Sequence, residues 1–231
     1  MRTVVTAIAV VVAVVPLVLS AAPIASRLDV GSISGHVRLT SRVRGVALPS
    51  NVYQPRGVQR RDAVSTPEIK NVVVHLRGLA YAGTLAAGRG VVRQQNETFT
   101  PRVLAVTQGS TVDFPNVDPF FHNVFSLSSA GEFNLGRYPQ GKSKSRTFSR
   151  AGLVKVYCQL HSHMSASILV LDHPFFATPD LDGSFTLPQV PADRYTIVGW
   201  HERVGERTAT IQVELGKTSS ITLFLPLEET K

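Results

Sequence analysis

"GLVKVYCQLHSHMSASILVLD", residues 152–172, sets the chain's one cysteine between two strand-like halves. Val154, Val156 and Cys158 alternate with Lys155 and Tyr157, the period of a strand with one buried face. After the thiol come His161, His163 and Met164, and then a second β-branched run, "ASILVLD" (166–172). The segment therefore predicts two strands joined by a short loop that carries a thiol, two imidazoles and a thioether. A lone cysteine is commonly a small buried hydrophobe. Its neighbours here point instead to a metal. Thiolate, imidazole and thioether together select copper, or zinc, over the hard cations magnesium and calcium.

Working outward, the rest of the chain also reads as sheet. In "GSTVDFPNVDPFFHNVFSLS" (109–128), Val112 and Phe114 face one way while Thr111 and Asp113 face the other. Further strands are expected at 31–39, 71–78, 91–95, 102–107, 184–187, 196–202, 208–215 and 219–225, with Gly/Pro turns between them. The stretch at 132–152 reads as polar, with "PQG" turn chemistry. Among 231 residues, 43% are hydrophobic and 17% charged, an ordinary globular balance with length for a real core. Seventeen Gly, fourteen Pro and frequent Val-Thr-Phe clusters favour an all-β chain. No 3.6-residue apolar period is sustained beyond the leader, so very little helix is expected.

The apolar run "TVVTAIAVVVAVVPLVLSAA" (3–22) follows Arg2 and looks like a secretory leader. Ser20-x-Ala22 suits cleavage, but Pro23 after the cut disfavours it, so residues 1–25 are either a signal peptide or an uncleaved N-terminal anchor. Either way the remainder is expected in the periplasm or another extracytoplasmic space. There a lone thiol has no internal disulfide partner and is a liability if idle. From Arg38 to Lys70 there are seven basic residues and two acidic ones, in a long stretch with no strand or helix period. This charge is either a solvated loop or an attraction to anionic lipid or an acidic protein. No aromatics interleave with the arginines as in single-strand nucleic-acid binders, so nucleic acid is not an expected partner.

Taken together, "GSTVDFPNVDPFFHNVFSLS" and "GLVKVYCQLHSHMSASILVLD" resemble the plastocyanin/amicyanin branch of the cupredoxins, over roughly residues 91–172. The resemblance implies a Greek-key β-sandwich holding one type 1 copper ion. Carried over by position, His122 and His161 are the imidazole ligands, Cys158 the thiolate and Met164 the axial thioether. Asn123 matches the residue that ties the two ligand loops together. The chain departs from the short amicyanin-type loop in carrying Leu160, Ser162 and a second histidine, His163, which stands as the alternative to His161. Phe120, Phe121, Val124, Leu160 and Met164 are expected to keep water away.

A second resemblance is carried by "DLDGSFTLPQVPADRYTIVGWHE" (180–202), which is similar to carboxypeptidase-regulatory-like or transthyretin-like β-sandwiches. The matching opening strands lie before the copper segment, not next to this one. The expected architecture is therefore a cupredoxin sandwich, residues 79–172, inserted into or fused with a second small sandwich made from 28–78 and 173–231. Tyr195 and Trp200 are then core or rim aromatics, with glycan binding as the rival reading. His36, His75, His173 and His201 are expected to be surface or satisfied residues. With four ligand positions filled, the reading is a carrier of single electrons between redox partners and not an enzyme. The electron would leave by the His161 edge, near Arg137, Lys142, Lys144 and Arg146, which suit an acidic partner or simply solubilise that face. The alternative is a periplasmic copper-binding and delivery protein, or an envelope binding module whose site does not cycle.

Overall fold

The computed structural model describes residues 30–40 and 67–226. The expected leader and most of the Arg-rich stretch lie outside the described residues. In chain order the strands are β1 (Val30–Leu39), β2 (Val72–Arg77), β3 (Arg89–Val91), β4 (Arg93–Gln95), β5 (Thr98–Thr100) and β6 (Val103–Thr107). There follow β7 (Thr111–Pro115), β8 (His122–Ser126), β9 (Phe133–Tyr138), β10 (Ser143–Thr147), β11 (Gly152–Tyr157) and β12 (Ser165–Leu171). The last five are β13 (Phe176–Ala177), β14 (Ser184–Pro191), β15 (Arg194–His201), β16 (Gly205–Gln212) and β17 (Thr218–Leu225). One 3-10 turn, Glu68–Asn71, is the only helical element among the described residues. The chain is all-β.

Five sheets result, and they divide by sequence. Strands β14-β1-β17 and β13-β2-β15-β16 come from the two ends of the described chain. Between them, β6-β12-β11-β8-β9, β10-β7-β3 and the hairpin β4-β5 come from the middle. Each group closes on its own apolar core. Ile33, Val37, Leu76, Phe185, Leu187, Ile197 and Leu225 fill the outer sandwich, and Phe114, Val124, Phe148, Val156, Ile168 and Val170 the inner one. The chain thus leaves one sandwich after β2, builds a second, and returns at β13. The Asp182-Gly183 turn before β14 needs its glycine: φ is +88°, and a Cβ there would lie 2.3 Å from the Val37 carbonyl oxygen.

The two sandwiches share a third, smaller core of Val73, Val103, Leu169 and Trp200. This explains why β12 is buried at five consecutive positions, Ala166–Val170. Ala166, Ile168 and Val170 face the inner core, and Leu169 faces the other sandwich. Beside this contact the Glu202 carboxylate, following β15, accepts from Lys155 Nζ of β11 at 2.5 Å and Arg102 Nε at 2.9 Å. Burial alone would raise the Glu202 pKa, but these two cations outweigh it and hold it below the ordinary carboxylate range. Trp200 and Tyr195 are buried, so neither offers a stacking platform to a glycan.

Candidate metal centre

The site forms where β8, β11 and β12 end together. Between β7 and β8 the chain turns on Asn116. Its Oδ1 accepts the Asp118 N–H at 3.0 Å, and its Nδ2 donates to the carbonyls of Phe120 (2.8 Å) and Tyr138 (3.1 Å). That turn delivers His122 as the first residue of β8, opposite Tyr138, with its side chain wholly buried. Cys158 follows β11 directly and Met164 immediately precedes β12. The loop between them is closed by Cys158 N–H to the Met164 carbonyl (3.4 Å) and Met164 N–H to the His161 carbonyl (3.0 Å). Asn123 fastens this loop to β8, its Oδ1 accepting the Gln159 N–H at 2.6 Å, while its Nδ2 donates to Asn134 Oδ1 at 3.2 Å.

Three donor atoms converge. Cys158 Sγ lies 3.8 Å from His122 Nδ1 and 3.9 Å from His161 Nδ1, and the two nitrogens are 3.0 Å apart. A triangle with those sides has a centre about 2.1 Å from every corner, which matches metal bonds of about 2.0 Å to imidazole and about 2.3 Å to thiolate. The donor set therefore fits a soft or borderline ion in a trigonal plane. These three residues form the only metal-competent group of His, Cys, Asp and Glu side chains found among the described residues. Met164 is buried in the same apolar cluster as Cys158, and Val124 closes another side of that cluster.

The electrostatics favour a thiolate. Burial opposes ionisation of Cys158, but the His122 ring, the Asn123 N–H and the His161 ring and N–H outweigh it and bring the thiol down to about 6. For His122, burial works against the charged ring, while Cys158 and Asp118 prevail and raise its pKa.

The structure brings together Cys158, His122 and His161, with Met164 and Asn123 beside them. It turns His163 the other way: that ring is mostly exposed and lies 3.4 Å from a Glu97 carboxylate oxygen. Phe120, Phe121 and Leu160 differ from expectation, since each is exposed and forms a rim instead of a seal. Phe120 nevertheless stands 5.1 Å and 5.4 Å, centre to centre, from the His122 and His161 rings. Of the remaining histidines, His173 and His201 are buried and hydrogen-bonded, to the Leu76 carbonyl and to Glu68 respectively. His75 also bonds the Leu76 carbonyl, and none of these joins a metal-competent group.

Sequence reasoning missed Asp118. Its carboxylate lies 2.8 Å from His122 Nε2 and is itself buried. Burial works to raise its pKa, but the Glu97 N–H, the His122 ring and the Asn96 N–H overcome that and lower it. The available signal was an acid four residues before a candidate ligand, hidden in what reads as an ordinary Asn-x-Asp-Pro turn.

No family model matches the chain, and no curated protein does. Solved structures do. A copper-containing nitrite reductase from Thermus scotoductus SA-01 is similar over 41% of this chain and 25% of its own, at 24% identity and a TM-score of 0.36. A reduced amicyanin mutant matches over 38% of this chain and 86% of its own, at 28% identity and a TM-score of 0.34. A purple cupredoxin from Nitrosopumilus maritimus matches over 36% of this chain and 99% of its own, at 23% identity and a TM-score of 0.32.

Proposed function

We propose that the protein is an exported type 1 copper protein that carries single electrons between redox partners. One observation carries the reading: a buried thiol and two imidazole nitrogens whose separations enclose a point at bonding distance from all three. When bound, copper would supply the Cu(I)/Cu(II) couple. Cys158, His122 and His161 would hold it, with the Met164 thioether as the fourth donor of this chain. The residues' own part is to stay put. Asn123 pins the loop to β8, and the two sheet ends fix the ligand backbones, so little rearranges between oxidation states. Val124, Met164 and the apolar core beneath exclude water.

His161 is partly exposed beside the Phe120 ring, which makes its own ring the natural exit for the electron. Arg137 and Lys142 are exposed on β9 and the β9–β10 turn, so an acidic redox protein is the partner we favour. The reading is a carrier and not an enzyme because four donors of this chain would fill the ion's positions and leave none for a substrate. Delivery of copper to an acceptor is the competing role. Reversible electrochemical titration of the copper-loaded protein separates them: a one-electron couple with both forms retaining the metal is expected. Loss of copper on reduction, or its transfer to an acceptor without cycling, would contradict the carrier role.

A further inference from the structure

Behind His122, on the side turned away from the thiol, lies a carboxylate that ligand spacing alone does not call for. Asp118 Oδ2 is 2.8 Å from His122 Nε2. Both of its oxygens also accept backbone N–H groups from the tip of the β4–β5 hairpin: Asn96 N–H to Oδ1 at 2.6 Å and Glu97 N–H to Oδ2 at 2.9 Å. That tip is a two-residue turn with both central residues left-handed, φ 53° at Asn96 and 54° at Glu97. The second position ordinarily takes glycine, and a side chain there costs about 1 kcal/mol. The conformation aims two successive N–H groups at one anion, as backbone nests do.

A carboxylate that already accepts two N–H bonds faces His122 as an acceptor, so Nε2 carries the hydrogen between them. We propose that Asp118, clamped by the Asn96–Glu97 hairpin tip, is a positioning residue for the metal centre. It holds the His122 Nε2 proton and thereby turns Nδ1, with its lone pair, toward Cys158 and His161. Such carboxylate–histidine pairs orient the ring and make it a more basic ligand, and their loss costs about 10–100-fold in metal affinity. A more basic imidazole favours Cu(II) over Cu(I), so removing the carboxylate also raises the reduction potential. The effect on copper rests on the function proposed above. The hydrogen bond itself does not.

The test uses the full-length chain. In the metal-free wild type, the His122 Nε2 proton is expected as a slowly exchanging low-field resonance in the 1H–15N spectrum, and Asp118→Ala loses it. Asp118→Asn is isosteric, but an amide cannot accept from His122 and from both hairpin N–H groups at once. In competition with a chelator its Cu(II) affinity is expected to fall by about 10–100-fold. Asp113→Asn, whose carboxylate is engaged by Arg89 and Ser145, leaves affinity unchanged. A freely exchanging Nε2 proton in the wild type overturns the role. So does a folded Asp118→Asn protein with wild-type affinity and potential. If the wild type binds no Cu(II) at all, the copper reading falls, and the proton resonance still decides whether Asp118 holds the ring.

Discussion

Cys158 is ionised more easily than an ordinary thiol because two imidazoles and two backbone N–H groups face its sulfur in an otherwise apolar pocket. The sign is fixed by those donors: each stabilises the thiolate, so removing one raises the pKa. In the metal-free protein, absorbance near 240 nm is expected to report a thiolate midpoint at about 6. His122→Ala should move that midpoint up toward the ordinary value of about 8.5. A wild-type midpoint already at the ordinary value would mean the rings do not face the sulfur. The convergence of Cys158, His161 and His122 was legible in the sequence because the first two sit three residues apart in one loop between strand-like runs, while His122 came only from the resemblance carried by residues 109–128. Asp118 was not, because its partners come from three places: its own turn, the first residue of β8 and a hairpin tip some twenty residues upstream. Nothing local announces that convergence.

At the scale of elements, strands with an apolar face or an unbroken apolar run were readable, and the polar strands of 132–152 were not. Strand β11 alternates as its residues suggest, Val154 and Val156 buried against exposed Leu153 and Tyr157. Strands β9 and β10 hid inside a stretch that reads as polar loop, because β10 is an edge strand exposed or half-exposed throughout. Its Lys144 and Arg146 lie over the rings of Tyr138 and Phe133 and cover the sheet edge with charge. The run at 91–95, expected as one strand, is divided at buried Val92: β3 pairs with β7 while β4 pairs with β5. The hairpin beyond it carries a testable cost. Glu97→Gly relieves a left-handed residue and gives up only an exposed side-chain contact with His163, so stability should rise by about 0.5–1 kcal/mol. Thermal unfolding of the metal-free protein measures this, and a lower Tm in the variant would show that the His163 contact matters more than the backbone strain.

For the whole molecule, the insertion makes sense of sequence runs that alternation cannot explain. Val72–Val74 and Ala166–Val170 are apolar or buried without a period of two because each strand has a core on one side and the neighbouring sandwich on the other. Trp200 is the largest side chain in that shared core, and Glu202 ties the same edge to Lys155 and Arg102. Trp200→Ala should cost about 3–5 kcal/mol in chemical denaturation, while the candidate metal site, where β11 ends and β8 begins, is expected to bind Cu(II) as in the wild type. A harmless substitution would mean the sandwiches do not brace each other. Cys158, His122 and His161 stand close enough to share one ion. Adding Cu(II) to the purified protein and recording its visible spectrum tests this most directly. An intense thiolate-to-copper band that disappears in Cys158→Ser is expected, and a colourless protein, or a band that survives the substitution, would contradict it.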